Sequence, residues 1–566
     1  MSRWLCHGWV LLPDRWDCDG RRKRSMTKGA SGLPATRIGP CGLTRWMGIV
    51  LTISLIGCSQ PGGEGTALPS EGRNVQSIVF STLMGDSHLT EVRDIAVDRQ
   101  GSIYVTGGTE SEDFPVTRGA FDESFNGGLD AFVLKLTAAG EIIWATYLGG
   151  PSHDRAYAIE VDEQGYVYVS GRAGDKFPVT DRVFQPQFLG GIPQGPYPSQ
   201  SGFVAKLSPE GNTLVWASYF GAGDDPSHPV RDLALARDGS ILIAASSTTG
   251  AYPRSIRQAF DRGYRSRHAG KRDAVLARLK NDGTEVVWAT YLGGRESEGG
   301  EGSVRTTSKG NVYFLTTTES NDAPVTPGVY GQNYHGGGDF YLAKFNVEGA
   351  LLFATYLGGS DLENTETHEL AVDKDENAII ASGSLSTDYP TTLGVVQPSY
   401  AGSGGRGTGG GTNYPGDVVV SKISADGTRL LASTFIGGRH GESVEGVEVD
   451  SNGDVSITGT TFSDDFPVTP NAVQSRWGGE ADAFVVKLSA DLMHILYATY
   501  IGGKGSEACR ALALSPAGSV IIGGAVRSGG WPIVNGFQGV SGVRGAGALL
   551  SLQLQERVPW LVFQGY

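Results

Sequence analysis

One phrase recurs along the chain, and its spacing constrains the fold more than any other feature. Its first position is aromatic in most copies and is followed by Ala or Ser, then by Thr or Ser, an aromatic residue, an aliphatic or aromatic residue and Gly. Six strong copies begin at Trp144, Trp216, Trp288, Phe353, Ala432 and Tyr497. The period of about 63 to 79 residues exceeds that of most helical solenoids and suits one four-stranded propeller blade with a long loop.

Each repeat is interpreted as four short strands. In the first unit, residues 94–98 and 102–106 flank a turn at Gly101, and residues 130–136 and 141–147 supply the third and fourth strands. No stretch has a sustained helical period, so we expect an all-β fold. A residue that tolerates left-handed backbone occupies the turn in the other units: Gly165, Gly239, Gly310, Asn377, Gly453 and Gly518.

The number of strand copies predicts how the ring closes. The first three strands occur seven times, but the fourth occurs eight times, because weaker copies lie before and after the array. We therefore predict a seven-bladed β-propeller of four-stranded antiparallel blades, closed by a duplicated terminal strand. Either residues near Ile78–Thr82 or residues near Trp560–Phe563 complete the last blade. Ring closure removes exposed sheet edges.

The repeats resemble the bacterial β-propeller repeat family called SBBP. The first unit carries Ala-Val-Asp at 96–98, Tyr-Val-Thr-Gly at 104–107, Asp-Phe-Pro-Val-Thr at 113–117 and Asp-Ala-Phe-Val-Leu-Lys-Leu at 130–136. The sixth unit matches equally well, whereas units three and seven only approximate the proline phrase, at Tyr252 and Trp531. The resemblance implies a seven-bladed propeller over residues 74–566.

The N-terminal segment has the features of a leader. Residues 1–57 hold nine basic and three acidic residues and end in a short apolar run from Trp46 to Gly57. The sequence Leu55-Ile56-Gly57-Cys58 resembles the lipobox of bacterial lipoproteins. This resemblance implies cleavage before Cys58 and lipid attachment to its sulfur. An ordinary secretory peptide is the alternative, and Met1, Met26 and Met47 all remain candidate starts.

This leader predicts where the protein resides. Residues 58–73 are interpreted as a flexible tether and residues 74–566 as the propeller. We expect a membrane contact through lipid on Cys58, which places the propeller in the bacterial cell envelope outside the cytoplasm. Without the leader only Cys58 and Cys509 remain, so no intramolecular disulfide is predicted. We expect a monomer.

Charge and motifs exclude several classes of function. The part after residue 57 has a net charge of about −20, which repels nucleic acid, and it contains no basic stripe. No nucleophile elbow, phosphate-binding loop, zinc spacing or paired-cysteine motif occurs, and no cofactor is predicted. The glycine-rich segment 402–411 has no following helix and is interpreted as a loop insertion.

Two repeated positions invite a functional interpretation. An acidic residue precedes an aromatic-Pro phrase at Asp113, Asp388 and Asp465, with Lys176 and Asp322 in the same place. Calcium binding and loop anchoring are both compatible with this pattern, and we favour anchoring. The strand-four aromatic residues are interpreted as packing between blades: Trp144, Trp216, Trp288, Phe353 and Tyr497.

Polar residues concentrate where each unit leads into its first strand, which in a propeller is the mouth of the central channel. Histidines occur in five of these connections: His88, His153, His228, His368 and His440. A ring of residues is expected at one position in the following strands: Arg93, Tyr157, Arg231, Gly302, Glu369, Glu445 and Arg510. These groups suit anion binding, a transition metal or acid–base chemistry, although a water-filled channel also requires polar residues.

Two functions are compatible with these features. The first is a non-enzymatic envelope lipoprotein whose rigid propeller binds protein or glycan partners by loops on one face, including those at 190–201 and 401–415. The alternative is a propeller enzyme, a lyase or hydrolase, that uses the His/Arg/Glu ring. The fold itself does not separate the two, because propellers serve both uses.

Overall fold

The computed structural model describes residues 77–554 except 87, 192, 194–197, 224–228, 403–415, 528 and 539–544. The leader, the tether, Cys58 and residues 555–566 lie outside the described residues. Within the described part, the strands form seven antiparallel sheets, each with strands a to d in order from the channel outward. The inner strands a contact one another in a closed cycle, so the fold is the predicted seven-bladed propeller.

The strands of each blade occupy matching places in the repeats. Blade 1 comprises Thr90–Val97, Ile103–Thr109, Asp130–Leu136 and Ile142–Leu148. Blade 2 comprises Arg155–Val161, Val167–Ala173, Ser201–Leu207 and Leu214–Phe220. Blade 3 comprises Asp232–Leu235, Ile241–Ser247, Asp273–Leu279 and Val286–Leu292. Blades 4 and 5 comprise Glu298–Thr306, Val312–Thr318, Asp339–Phe345 and Leu351–Leu357; Glu363–Asn364 with Leu370–Val372, Ala378–Ser384, Asp417–Ile423 and Leu430–Ile436. Blades 6 and 7 comprise Glu442–Val449, Val455–Thr461, Asp482–Leu488 and Ile495–Ile501; Glu507–Leu514, Ser519–Val526, Ala546–Gln553 and Ile78–Met84.

The N-terminal strand closes the ring. Ile78–Met84 pairs antiparallel with Ala546–Gln553, so it is the outer strand of blade 7 and joins the two ends of the array. Between the two closing strands predicted, the structure thus selects the N-terminal copy. The other copy, Trp560–Phe563, lies outside the described residues.

Aromatic residues of strand d join neighbouring blades, as predicted. The Trp144 indole N–H donates to the Pro209 carbonyl of blade 2 at 2.9 Å. Its ring lies against Gly211, where an added Cβ would stand 2.3 Å from the indole. Trp216 and Trp288 repeat this bond to the next blades at 2.8 and 2.9 Å. Each tryptophan therefore buries apolar area and satisfies its one polar atom in the junction.

Antiparallel order puts all the long connections on one side of the ring. The a–b and c–d connections are tight turns, such as residues 98–102 and 137–141, and they lie on the side called here the turn face. The b–c connections, such as residues 110–129, and the d–a connections lie on the opposite side, the loop face. The loop face therefore carries most of the irregular, variable backbone.

Blade 3 departs from the all-strand expectation. A short helix, Arg254–Phe260, follows Pro253 in its b–c connection. Ile256, Ala259 and Phe260 are buried on one side of it, and Phe260 stacks on Tyr291 with ring centroids 4.1 Å apart. The helix directly follows the Tyr252-Pro253 pair, this unit's approximation of the aromatic-Pro phrase. Among the described residues, no helix has the length and apolarity needed to cross a bilayer.

Candidate functional site

The predicted mouth residues of four blades are carried by β-bulges. In blade 1 the register shifts between Val92 and Asp94, which makes Arg93 an extra residue in strand a. A bulge re-aims one side chain relative to the regular strand pattern. The extra residues of blades 2, 6 and 7 are Tyr157, Glu445 and Arg510. In these four blades, the ring residue predicted from the sequence therefore lies at a β-bulge at the loop-face end of the channel.

In blade 5 the left-handed turn residue lies one position earlier than predicted. Asn377 was expected at the left-handed turn position, but Glu376 has φ +64° and its N–H donates to the Asp373 carbonyl at 2.9 Å. Asn377 instead bonds the Asp373 carboxylate through its side chain. Glu376 is held in this conformation because Lys344 and two other side chains bond its carboxylate. Counting from Glu376, His368 rather than Glu369 occupies the position of Arg93.

Arginines surround Tyr157, whose side chain is buried. The guanidinium carbons of Arg231, Arg93 and Arg172 lie 4.4, 5.4 and 5.7 Å from its ring centre. Burial acts to raise the pKa of the phenol, but Arg172, Arg231, Arg155 and Arg93 outweigh it and lower the pKa to about 8. A tyrosine with this pKa is partly ionised near neutral pH, and the arginines around it favour anionic groups.

Glu91 links the arginines of three blades. Its carboxylate lies 3.1 Å from Arg93, 3.6 Å from Arg155 and 2.6 Å from Arg510. Although burial acts to raise its pKa, these arginines hold the pKa of Glu91 well below its ordinary value. Arg510 also pairs with Glu445. These ion pairs fix the charged groups at this part of the mouth in position, and the arginines outnumber the glutamates.

The opposite part of the mouth is rich in glutamate. Glu301 pairs with Arg231 at 2.5 Å, and burial raises its pKa well above the ordinary value. Glu369 is buried, accepts a hydrogen bond from the backbone N–H of Glu366 at 2.9 Å, and has a raised pKa because of burial. Burial raises the pKa of Glu445 to about 7. The mouth is thus polarised: arginines predominate in blade 7 and blades 1 to 3, where Glu91 is the paired exception, and carboxyl groups in blades 4 to 6.

His368 reaches across the channel. Its Nε2 lies 3.0 Å from the Tyr157 carbonyl oxygen of blade 2, and its Nδ1 lies 3.5 Å from Asp232 of blade 3. It is buried and has φ +65°, an uncommon conformation for a residue other than glycine. The imidazole therefore ties three blades together beneath the mouth.

A cavity of about 440 Å³ occupies the channel on the turn-face side of His368. Its polar lining includes Asp94, Glu160, Arg305 and Glu448. Arg305 pairs with Asp232 at 2.7 Å, and burial raises the pKa of Glu160 to about 8. Asp232 also accepts the N–H of Val304, and Asp94 accepts that of Ile159, so both carboxylates join adjacent inner strands.

The other histidines do not gather around this ring. His88 is exposed and pairs with Asp86 at 2.9 Å, and His440 is exposed on its own connection. His153 is half-buried, and burial with nearby arginines lowers its pKa to about 3. His228 lies outside the described residues. Within the part of the chain that is described, no three His, Cys, Asp or Glu side chains are grouped as metal ligands.

The acidic residues before the aromatic-Pro phrase act as loop anchors in three blades. Asp322, Asp388 and Asp465 accept backbone N–H groups of the preceding d–a connections at 2.9, 2.8 and 2.9 Å. The donors belong to Arg295, Ser360 and Arg439. This geometry agrees with the anchoring interpretation that the sequence favoured.

Several mouth residues were missed from the sequence. Glu91 and Arg155 lie two residues before the bulge position, where the alternation of a regular strand would have been a usable signal. Arg172 is contributed by strand b of blade 2, and Glu301 by a longer bulge in blade 4. Neither of these has a counterpart at a repeated sequence position.

Solved structures with a similar arrangement differ widely in sequence. A protein of unknown function from Dyadobacter fermentans has 11% identity and a TM-score of 0.36, covering 70% of this chain and 94% of its own. An ulvan lyase, a polysaccharide lyase, has 11% identity and a TM-score of 0.39, covering 78% and 92%. The quinohemoprotein alcohol dehydrogenase of Comamonas testosteroni has 11% identity and a TM-score of 0.35, covering 88% and 80%. Likeness at this level assigns no activity to the present chain.

Sequence comparison adds a family match for part of the chain. No curated protein matches it. Residues 79–115 and 143–178 match the family described as SBBP, beta-propeller repeat. The chain thus carries SBBP repeats within a seven-bladed β-propeller.

Proposed function

We propose that this protein is a cell-envelope lipoprotein, anchored through lipid on Cys58 outside the cytoplasm, whose rigid propeller binds a protein or glycan partner by its loop face. The observation that carries this proposal is the segregation of connections. In the part of the chain that the structure describes, the b–c and d–a connections and the polarised mouth share one face, whereas the turn face has tight turns. Rigid scaffolds with one variable face are suited to recognition.

The chemistry of the mouth supports binding. Glu91, Arg93 and Arg510 are mutually paired, so their charges are fixed in position before a partner arrives. Fixed and complementary charge favours specificity and the rate of association. The arginine side near Arg231 suits an anionic group, and the glutamate side suits a cationic or hydroxyl-bearing one.

The proposal is tested in two separate steps. For the anchor, Cys58→Ser is expected to move the protein from the membrane fraction to the soluble fraction of the cells. For the binding face, the full-length protein is screened against envelope proteins and glycans. Arg231→Glu on the loop face is expected to weaken capture, whereas Arg99→Glu on the turn face is its matched control. Equal loss with both variants, or none with either, contradicts the loop-face proposal.

Tyr157 favours a second candidate, a lyase that acts on an anionic polysaccharide. In such a β-elimination the Tyr157 phenolate takes the proton alpha to a uronate carboxylate, and a carbon–carbon double bond forms as the glycosidic C–O bond breaks. The Tyr157 phenol then gives that proton to the leaving oxygen, which restores the phenolate and balances charge and atoms. Arg231 and Arg93 would hold the carboxylate.

Formation of the unsaturated product gives a direct assay for this candidate. Wild-type protein is incubated with uronate-containing polymers, and the absorbance of the new double bond is followed. Activity that Tyr157→Phe abolishes, with folding retained, identifies the protein as a lyase. Binding of a polymer without product formation supports the scaffold instead.

A further inference from the structure

A residue of the b–c connection occupies the same backbone position in several blades. Its N–H donates to a Thr or Ser hydroxyl of strand d, and its carbonyl accepts the N–H of the next aromatic residue. The position is Gln185, Gln397 and Gln474 in blades 2, 5 and 6. In blade 4 it is Gly331, which bonds Thr355 and Tyr356 at 2.9 and 3.0 Å in the same way.

In blades 5 and 6 the glutamine side chain completes this arrangement, whereas blades 1 and 3 have Asp122 and Arg265 at the position. Its carboxamide oxygen accepts the N–H of the first Gly after strand d, which is Gly437 in blade 5 and Gly502 in blade 6, each at 3.1 Å. Its carboxamide nitrogen donates to the buried carboxylate that begins strand c, Asp417 or Asp482, at 3.0 and 2.8 Å. One carboxamide thus satisfies a backbone donor and a carboxylate acceptor together.

Blade 4 has no such carboxamide. A Cβ built on Gly331 would lie 1.9 Å from the Tyr356 carbonyl oxygen, so this backbone leaves no room for a side chain. The His335 imidazole supplies the donor to the strand-c carboxylate, with Nδ1 3.1 Å from Asp339. No glutamine oxygen is available for Gly358, the counterpart of Gly437. In blade 4, His335 thus replaces the donor nitrogen of the glutamine carboxamide, but no glutamine replaces its acceptor oxygen.

An open cavity takes the place of the missing side chain. Its volume is about 470 Å³, and Gly331 and Gly358 both line it. The Tyr330 ring, 40% exposed, lies at its edge together with the exposed side chains of Asn333 and Asp388. A hydrogen bond from the Ser360 N–H lowers the pKa of Asp388, so this carboxylate is an ionised acceptor.

From this arrangement we propose that the blade 4 cavity binds a glycan bearing an acetamido group, such as an N-acetylhexosamine. The acetamido oxygen takes the place of the glutamine oxygen and accepts the N–H of Gly358. The sugar hydroxyls bond Asp388 and Asn333, and a pyranose face packs on Tyr330. An acetylated peptide offers the same amide, but this lining of exposed amide, carboxylate and aromatic groups favours a sugar. The inference rests on the proposed glycan-binding function and names its ligand class.

The experiment compares two trisaccharides that differ only in acetylation. Full-length protein is titrated with the N-acetylglucosamine trisaccharide and with the glucosamine trisaccharide, using calorimetry and saturation-transfer NMR. We expect the acetylated sugar to bind at least about tenfold more tightly, as one lost hydrogen bond predicts. The acetyl methyl signals are expected to show strong saturation transfer. Equal binding of the two sugars overturns the proposal.

Variants locate the site and separate its failure from that of the wider function. Tyr330→Ala and Asp388→Asn are each expected to weaken binding about tenfold. Tyr264→Ala, a tyrosine of similar exposure in blade 3, is the matched control and should leave it unchanged. Tighter binding of an acetyl-lysine peptide than of the sugar overturns the glycan assignment. If the loop face binds its partner equally well in wild type and in Tyr330→Ala, this site is refuted but the proposed function is not.

Discussion

The carboxyl groups of Asp339 and Glu363 face each other across Gly358 in the interior of the ring. A Cβ on Gly358 would lie 2.4 Å from Glu363 Oε2 and 2.7 Å from Asp339 Oδ1, and both side chains are fully buried. The same arrangement recurs at Gly437 and at Gly502. At these three positions the glycine that follows strand d is required, because two carboxyl groups stand directly over it.

The acidic pair predicts that neutralising Glu363 changes the pH dependence of stability. Burial is the main cause that raises the pKa of Glu363 to about 8, and the pKa of Asp339 is also raised. A carboxyl group with a raised folded-state pKa contributes stability that is fully present below its ordinary pKa of 4.5 and is lost as pH rises through 8. The free energy of unfolding from this pair should fall between about pH 5 and 9.

Urea denaturation across this pH range tests the effect. Glu363→Gln keeps the shape of the side chain and is expected to flatten the decline relative to wild type. Glu163→Gln, on an exposed turn, is the control and should leave the slope unchanged. A slope that is identical in wild type and Glu363→Gln would falsify the raised pKa of Glu363 in the folded protein.

Closure by the N-terminal strand predicts a large effect of a single substitution far from the C-terminus. Phe80 is fully buried and its ring lies 2.5 Å from the Cβ position of Gly140 in blade 1, as Trp144 lies on Gly211. Phe80→Ala should lower the free energy of unfolding by about 3–5 kcal/mol, measured by urea denaturation. Closure by this strand would be contradicted if Phe80→Ala left the free energy of unfolding unchanged while truncation after Leu554 lowered it by about 3–5 kcal/mol.

Two glycines with positive φ separate backbone strain from junction packing. Gly119 and Gly211 have φ +84° and +67°, but an added Cβ meets nothing within 4 Å at Gly119. Gly119→Ala should therefore cost about 1 kcal/mol from strain alone. Gly211→Ala also clashes with Trp144 and should cost about 2 kcal/mol more. Equal losses in thermal denaturation would argue against the tryptophan junction.

The arginine cluster predicts an early titration of one tyrosine. In a difference titration of wild type against Tyr157→Phe, ionisation should be centred near pH 8. Arg231→Met removes one positive charge next to the ring and should raise this midpoint. A midpoint near the ordinary pKa of 10.0 in wild type would show that the arginines do not act on the phenol.

Sequence periodicity predicts the blades well because each blade is specified locally. Turn glycines such as Gly101 and junction aromatic residues such as Trp144 carry their structural reason within one repeat. The turn in blade 5 was wrong by one residue, because the Glu376 carboxylate is fixed by Thr307, Asn311 and Lys344 from blade 4. Such a stabilising contact is invisible to local turn preferences.

The site was less predictable, since it depends on contacts between blades. The repeated sequence position, counted back from the turn glycine, identified Arg93, Tyr157 and Arg231, yet the pKa of Tyr157 also depends on Arg172 from strand b. The blade 4 cavity is lined by Gly331, one small residue at a place where blades 2, 5 and 6 have glutamine. The cavity can be recognised as the place of a missing side chain only when the equivalent hydrogen bonds of several blades are compared.

Site-specific photo-crosslinking in cells tests the recognition role of the loop face most directly. A photoreactive phenylalanine analogue is placed at Tyr330 on the loop face and at Ile143, a similarly exposed position on the outer strand of blade 1. We expect a crosslinked envelope component at position 330, with hexosamine detected in it by mass spectrometry, and none at position 143. Adducts at position 143 alone would contradict this recognition role.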